Sequence, residues 1–187
     1  MAVELSIDQG LAHLYLNRPK ALNALSFGIL QDLNNTLGQI EQAIEQQHVR
    51  GLVMTGAGEK SFCAGADIPE LLGRTLVQQH EGARLGQEVF NRLAALRVPT
   101  VAVIHGYAFG GGLELALSCT FRIATARAKM GLPEIKLGLI PGYGGTQRLP
   151  RLIGEGRALD IILSGRTVEA AEAERIGLVT RLVEEGN

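Results

Sequence analysis

An α/β fold with largely parallel strand pairing is what this sequence predicts. Short apolar runs at Val49–Thr55 and Thr100–Ile104 read as buried strands. Stretches with apolar residues at three- and four-residue spacing read as helices and fall between those runs. Strand and helix then alternate, the order that gives parallel sheets with crossover helices.

The chain starts with alternation. Val3, Leu5 and Ile7, then Ala12, Leu14 and Leu16, interleave with polar residues on either side of Gln9-Gly10, as in a hairpin. Asn17-Arg18-Pro19 ends the second strand. Ser26 is a helix N-cap, and Phe27, Leu30, Leu33, Leu37, Ile40 and Ile44 form one helical face behind it. After the strand at Val49–Thr55 comes a glycine-rich passage, Gly56 to Asp67. A second helix follows, with Leu85, Val89, Leu93 and Leu96 on one face, closed before Pro99. The strand at Thr100–Ile104 runs into Gly106-Tyr107-Ala108-Phe109-Gly110-Gly111-Gly112-Leu113-Glu114, and Leu113–Ser118 is helical. A strand at Phe121–Thr125, a second glycine-rich stretch from Gly138 to Gly154, helical segments at Ala158–Leu163 and Ala170–Ile176, and a strand at Leu178–Val183 complete the order. Glu184-Glu185-Gly186-Asn187 follows with no closing helix expected. No repeat or low-complexity linker divides residues 1–187, so one core domain is expected.

Composition narrows the function classes. A length of 187 residues with 46% hydrophobic content supports a sizeable core. A net charge of -1, 4% aromatic content and no Trp disfavour nucleic-acid binding. Two cysteines, Cys63 and Cys119, are too few for a disulfide scaffold and too isolated for zinc, which fits a reducing compartment. The first residues lack a basic and apolar leader, and no apolar stretch reaches membrane-spanning length, so the expected location is the cytoplasm, with no membrane partner.

Three familiar motifs fail on spacing. Gly56-Ala57-Gly58-Glu59-Lys60-Ser61 sets its first glycine too close to the lysine for a phosphate loop. The triple glycine at 110–112 lacks the third glycine of a dinucleotide fingerprint, and there is no Gly-x-Ser-x-Gly elbow. None of His13, His48, His80 and His105 stands at metal-ligand spacing from another in the sequence, although His105 adjoins the glycine cluster, and no metal site is expected. Cys63 has no base beside it and reads as packing.

What remains is a glycine cluster opening a helix, with free amides and partial positive charge suited to an anion or oxyanion. Glu114 lies one turn into that helix, and Glu134 follows Pro133 at another helix start. From spacing alone each reads first as a carboxylate complementing a helix N-terminus. The alternative is a pair of carboxylates facing one pocket, with pKa values raised for acid and base work.

Four segments together resemble one family, the crotonase superfamily, and within it the enoyl-CoA hydratases. They are Asn17-Arg18-Pro19-Lys20-Ala21-Leu22-Asn23-Ala24-Leu25, Phe62-Cys63-Ala64-Gly65-Ala66-Asp67-Ile68, His105 through Ala116, and Pro133-Glu134-Ile135 leading to Pro141-Gly142-Tyr143-Gly144-Gly145-Thr146-Gln147-Arg148-Leu149. The resemblance implies a crotonase-like β/α spiral core. It implies an acyl-CoA substrate whose thioester oxygen is held by the amides of Ala66 and Gly111, since preorganised donors stabilise a developing enolate. Glu114 and Glu134 match the base toward water and the acid toward the α-carbon, and Gly142 matches a position whose amide helps hold the water. CoA would pass Lys20, Ala21 and Leu22 and lie beside Ala64, Asp67 and Ile68. No cofactor beyond CoA itself is implied. The chain stops before the helical C-terminal segment that in the family covers the acyl pocket and builds trimers and hexamers, so those helices are expected to be absent or truncated, with apolar surface left exposed. Retention of both glutamates favours hydration of a 2-enoyl-CoA. Enoyl-CoA isomerisation, other chemistry of the superfamily, or a catalytically silent CoA-binding or assembly module are the alternatives.

Overall fold

The computed structural model describes residues 2–184, so the predicted chain end at 185–187 lies outside the described residues. A hairpin opens the fold, β1 (Val3–Asp8) antiparallel to β2 (Leu11–Leu16). Gln9 and Gly10 both take positive φ, 47° and 81°, the geometry a two-residue turn needs to match strand twist. Ala12, Leu14 and Leu16 are fully buried while Leu11 and Tyr15 are exposed, as the alternation predicts.

Helix α1 (Phe27–Glu45) begins where Ser26 Oγ accepts from the Ile29 amide at 3.1 Å. Its buried stripe, Ile29, Leu30, Leu33, Leu37 and Ile40, covers the sheet, each side chain contributing roughly 1.5–3 kcal/mol. Helix α2 (Ile68–Leu71) is a single turn, and α3 (Leu76–Ala94) starts at a capping box between Thr75 and Gln78. Arg92 fastens α3 to α1 through a forked pair of bonds to Glu41, 2.7 and 2.6 Å. Leu96 lies just past the end of α3, yet still packs on the core.

The remaining strands of the large sheet are β3 (Gly51–Gly56), β5 (Thr100–Ile104), β7 (Phe121–Thr125) and β10 (Arg181–Val183), in the order β1-β2-β3-β5-β7-β10. Every pairing after the hairpin is parallel. The last strand is shorter than predicted. Leu178 and Val179 are buried in a turn, both amides bonding back to the Ala173 carbonyl.

A second sheet went unpredicted. It consists of β4 (Ser61–Cys63), β6 (Tyr107–Phe109), β8 (Lys129–Gly131) and β9 (Val168–Glu169), in that order. Pairs β4·β6 and β6·β8 are parallel, and β8·β9 is antiparallel. Strands of two or three residues are too short for a period-2 signal, which is why the sequence reads them as loop.

The two sheets form the spiral that the resemblance implies. Three times a long strand of the first sheet is followed by a short strand of the second and then by helix: β3, β4 and α2–α3; β5, β6 and α4 (Gly111–Leu117); β7, β8 and a 3-10 turn at Pro133–Leu137. The glycine-rich stretch from 138 to 154 contains a further helix, α5 (Gly145–Ile153), before α6 (Glu155–Ser164) and α7 (Ala170–Arg175). Among the described residues no helix is long and apolar enough to cross a membrane. Some large apolar side chains stand exposed, among them Leu72 at 75%, Leu76 at 86% and Ile140 at 73%.

Candidate active site

The three parallel strands β4, β6 and β8 lie side by side, and the chain leaving their C-terminal ends lines a cavity of about 680 Å³. Ala64, Gly65 and Ala66 come from the first exit, Gly110 and Gly111 from the second, and Pro133 and Glu134 from the third. The carboxyl ends of parallel strands are where α/β sheets leave open backbone for a ligand. Phe27, Leu71, Leu72, Leu137, Leu139 and Ile140 make the rest of the wall strongly apolar.

Ala66 forms an isolated parallel bridge with Leu25. The Leu25 amide bonds to the Gly65 carbonyl at 2.7 Å, and the Asp67 amide to the Leu25 carbonyl at 2.8 Å. In such a bridge the N–H of the middle residue points away from the partner strand, so that of Ala66 turns from Leu25. Gly111 is the first residue of α4, and a first-turn amide has no acceptor within its own helix. Both amides therefore belong to residues on the cavity wall and are not used in the local ladder or helix.

Glycine is needed at Gly110 and Gly112 for separate reasons. Gly110 has φ 51° and ψ -128°, and a Cβ there would lie 3.1 Å from Oε1 of Glu134. A Cβ at Gly112 would sit well inside contact distance of the Cys63 carbonyl, so α4 rests directly on β4. The far end of α4 is held by Arg122, whose buried guanidinium donates to the Cys119 carbonyl at 2.8 Å and the Leu178 carbonyl at 2.9 Å.

Glu114 is 1% exposed, with its carboxylate at the cavity wall. Its Oε1 accepts from the amides of Tyr143 at 2.8 Å and Gly145 at 2.7 Å, the latter the first residue of α5. Burial pushes its pKa up to about 7. The Glu134 charge also raises it, while the two amides and Arg148 pull the other way. Glu134, half-buried on the 3-10 turn, is likewise raised by burial, and its Oε2 has no hydrogen-bond partner among the described residues. The two amides on Glu114 favour its anion against the larger effect of burial, and Oε2 of Glu134 is open to a hydrogen-bond partner in the cavity.

Of the residues singled out from sequence, Glu114, Glu134, Ala66, Gly111, Gly142, Ala64 and Ile68 all line the cavity. Lys20, Ala21, Leu22 and Asp67 do not. Lys20 and Ala21 lie in an outer 3-10 turn, Pro19–Ala21, joined to the wall where the Ala64 amide bonds to the Leu22 carbonyl at 3.0 Å. Asp67 pairs with Arg18 at 3.0 Å. Cys63 and Cys119 are buried, and desolvation pushes both thiols up to about 12, so Cys63 packs as expected. No cluster of His, Cys, Asp and Glu among the described residues could hold a metal ion.

Residues missed by sequence reasoning are those of the Glu114 clamp, Tyr143, Gly145 and Arg148. Backbone amides have no side-chain signature. The available signal was Gly144-Gly145 in front of a period-3.6 stretch, the same glycine-before-helix pattern seen at 110–112. Asn23 is a second omission as a fold determinant. Fully buried, it accepts from the Arg18 amide and donates to the carbonyls of Ala57 and Ser61 at 3.0 and 2.9 Å.

The chain is similar to known proteins of one family. A family profile described as Enoyl-CoA hydratase/isomerase matches residues 6–187. A Short-chain-enoyl-CoA hydratase of Clostridium acetobutylicum is 47% identical over 169 residues, 90% of this chain and 64% of that protein. A Crotonyl-CoA hydratase of Syntrophomonas wolfei is 44% identical over 177 residues, 95% of this chain and 67% of that protein. Among solved structures, an enoyl-CoA hydratase from Bacillus anthracis superposes with a TM-score of 0.93 at 42% identity, covering 98% of this chain and 70% of that one. The chain thus spans about two thirds of the curated relatives it matches, 64% and 67% of the two above.

Proposed function

The chain belongs to the enoyl-CoA hydratase/isomerase family, and from that premise we propose that it adds water across the α,β double bond of a 2-enoyl-CoA to give a 3-hydroxyacyl-CoA. The observation that carries this reading is the pair Glu114 and Glu134 on one largely apolar cavity, beside the amides of Ala66 and Gly111 that the local bridge and helix leave unused. The names of the two curated relatives, a short-chain-enoyl-CoA and a crotonyl-CoA hydratase, support the same class of substrate.

In this reading Glu114, as the anion, takes a proton from water while the oxygen adds to the β-carbon. The displaced electron pair moves onto the thioester oxygen, held by the amides of Ala66 and Gly111. A preorganised donor of this kind is worth about 3–4 kcal/mol in the transition state. Glu134 delivers its proton to the α-carbon as the enolate collapses. Gly142, on the same wall, helps place the water. CoA runs past the turn at Lys20, Ala21 and Leu22 and along Ala64, Asp67 and Ile68.

The chemistry uses no cofactor beyond the CoA of the substrate. The work is cytoplasmic, and copies of the protein associate as trimers or hexamers where the helical C-terminal segment is present. Exposed Leu76 and Val77, adjacent at the start of α3, support association. The test is loss of the conjugated thioester absorbance of crotonyl-CoA, with a 3-enoyl-CoA in parallel. Hydration of the first with little conversion of the second is the expected result. Conversion of the 3-enoyl substrate alone would assign isomerisation, and binding without turnover would assign a silent module.

A further inference from the structure

We propose that Arg148 is a positioning residue for Glu114, holding the turn whose two amides grip the carboxylate. The inference rests on the hydratase reading above. It concerns a side chain that does not line the cavity.

The geometry is a relay of three bonds. Arg148 Nη1 donates to the Tyr143 carbonyl at 2.9 Å, the amide of the same Tyr143 donates to Glu114 Oε1 at 2.8 Å, and Gly145 completes the grip at 2.7 Å. The other arm of the guanidinium, Nη2, reaches Asn91 Oδ1 on α3 at 2.6 Å. The fork thus ties the turn at 143–145 to a helix from another part of the chain. Gly144, between the two donors, has φ 106°, and the Arg148 amide bonds to its carbonyl at 2.9 Å. A glycine turn in that region is intrinsically loose, and the fork fixes it.

The positive charge of the same guanidinium acts in the same direction, as the smallest of the effects on Glu114. The groups acting on Glu114 are Glu134 on the 3-10 turn, which raises its pKa, and Arg148 on α5, which lowers it. The Tyr143 phenol, itself raised to about 12, stays neutral across the working range. From α3 the neutral Asn91 reaches the guanidinium. Arg148 is the cation that offsets part of the burial penalty on Glu114.

The test compares wild type, Arg148→Gln, Arg148→Lys and Asn91→Ala in crotonyl-CoA hydration across pH. Arg148→Gln loses cation and fork together. Its kcat/KM at pH 7 should fall about tenfold or more, its acid limb should move to higher pH, and the deficit should shrink above that limb. Arg148→Lys keeps the charge but loses the fork, so its acid limb should move the same way, by less than in Arg148→Gln. Asn91→Ala keeps the charge and frees the fork, giving a smaller loss in kcat, and serves if Arg148→Gln does not fold. A uniform loss in Arg148→Gln at all pH values would reduce Arg148 to a structural residue and overturn its role on Glu114. An unchanged rate in Arg148→Gln, or in Asn91→Ala if only that variant folds, would overturn the proposal. A wild type that binds crotonyl-CoA without turnover would instead refute the hydratase reading.

Discussion

Replacing Gly145 with Ala tests the grip on Glu114 at its tightest point. The new Cβ would stand 3.0 Å from both Cγ and Oε1 of Glu114 and 3.1 Å from Pro141 Cβ. Ordinary contact starts about 0.4 Å further out, so the carboxylate or the turn must shift, and the 2.7 Å bond from the Gly145 amide is the one lost. A hydrogen bond to a charged group is worth about 1.5–3 kcal/mol, which moves the acid limb of the rate profile up by about one to two pH units. The wild-type limb is expected at about 7, where burial puts the Glu114 carboxyl. At pH 7 the ionised fraction then falls by about five- to fifty-fold, and kcat/KM for hydration with it. Steady-state assays from pH 6 to pH 10 on crotonyl-CoA should show the deficit closing at high pH. A variant with the wild-type limb and a flat loss would mean that Glu114 does not act as the ionised base.

Two further outcomes concern stability. Gly112→Ala drives a methyl into the Cys63 carbonyl, a backbone atom that cannot swing aside, and should cost about 1–3 kcal/mol or more in chemical denaturation. An unchanged midpoint would contradict the close seating of α4 on β4. Glu114→Gln should be more stable than wild type at pH 8 and comparable at pH 5. The folded pKa of about 7 lies above the ordinary 4.5, so the folded state favours the proton. The penalty of the buried charge is therefore absent below pH 4.5, grows between the two values and is complete above 7, where it reaches about 3 kcal/mol. Equal gains at both pH values would contradict the raised pKa.

The strands and helices that sequence made legible are those with a full period on display. The hairpin, Thr100–Ile104 and Phe121–Thr125 show it, and so does the stripe of α1 behind Ser26. The second sheet was hidden because its strands have two or three residues, and Ser61–Cys63 is buried throughout. Helix α5 was hidden by its own glycines, which read as loop although they mark its start. The site divides along the same line. Glu114 and Glu134, twenty positions apart, were visible as residue types, but only the adjacency of β6 and β8 puts both on one cavity. The amides of Tyr143 and Gly145 were invisible, because donors from the main chain are alike at every position and acquire meaning from the turn that aims them.

The central claim is that the two glutamates share one hydration reaction, and it is tested most directly by Glu114→Gln and Glu134→Gln in the protein as it folds. Turnover of crotonyl-CoA should fall by about 10²–10⁴-fold in each variant, while the dissociation constant for the thioester changes little. Wild-type turnover in either variant would contradict the assignment.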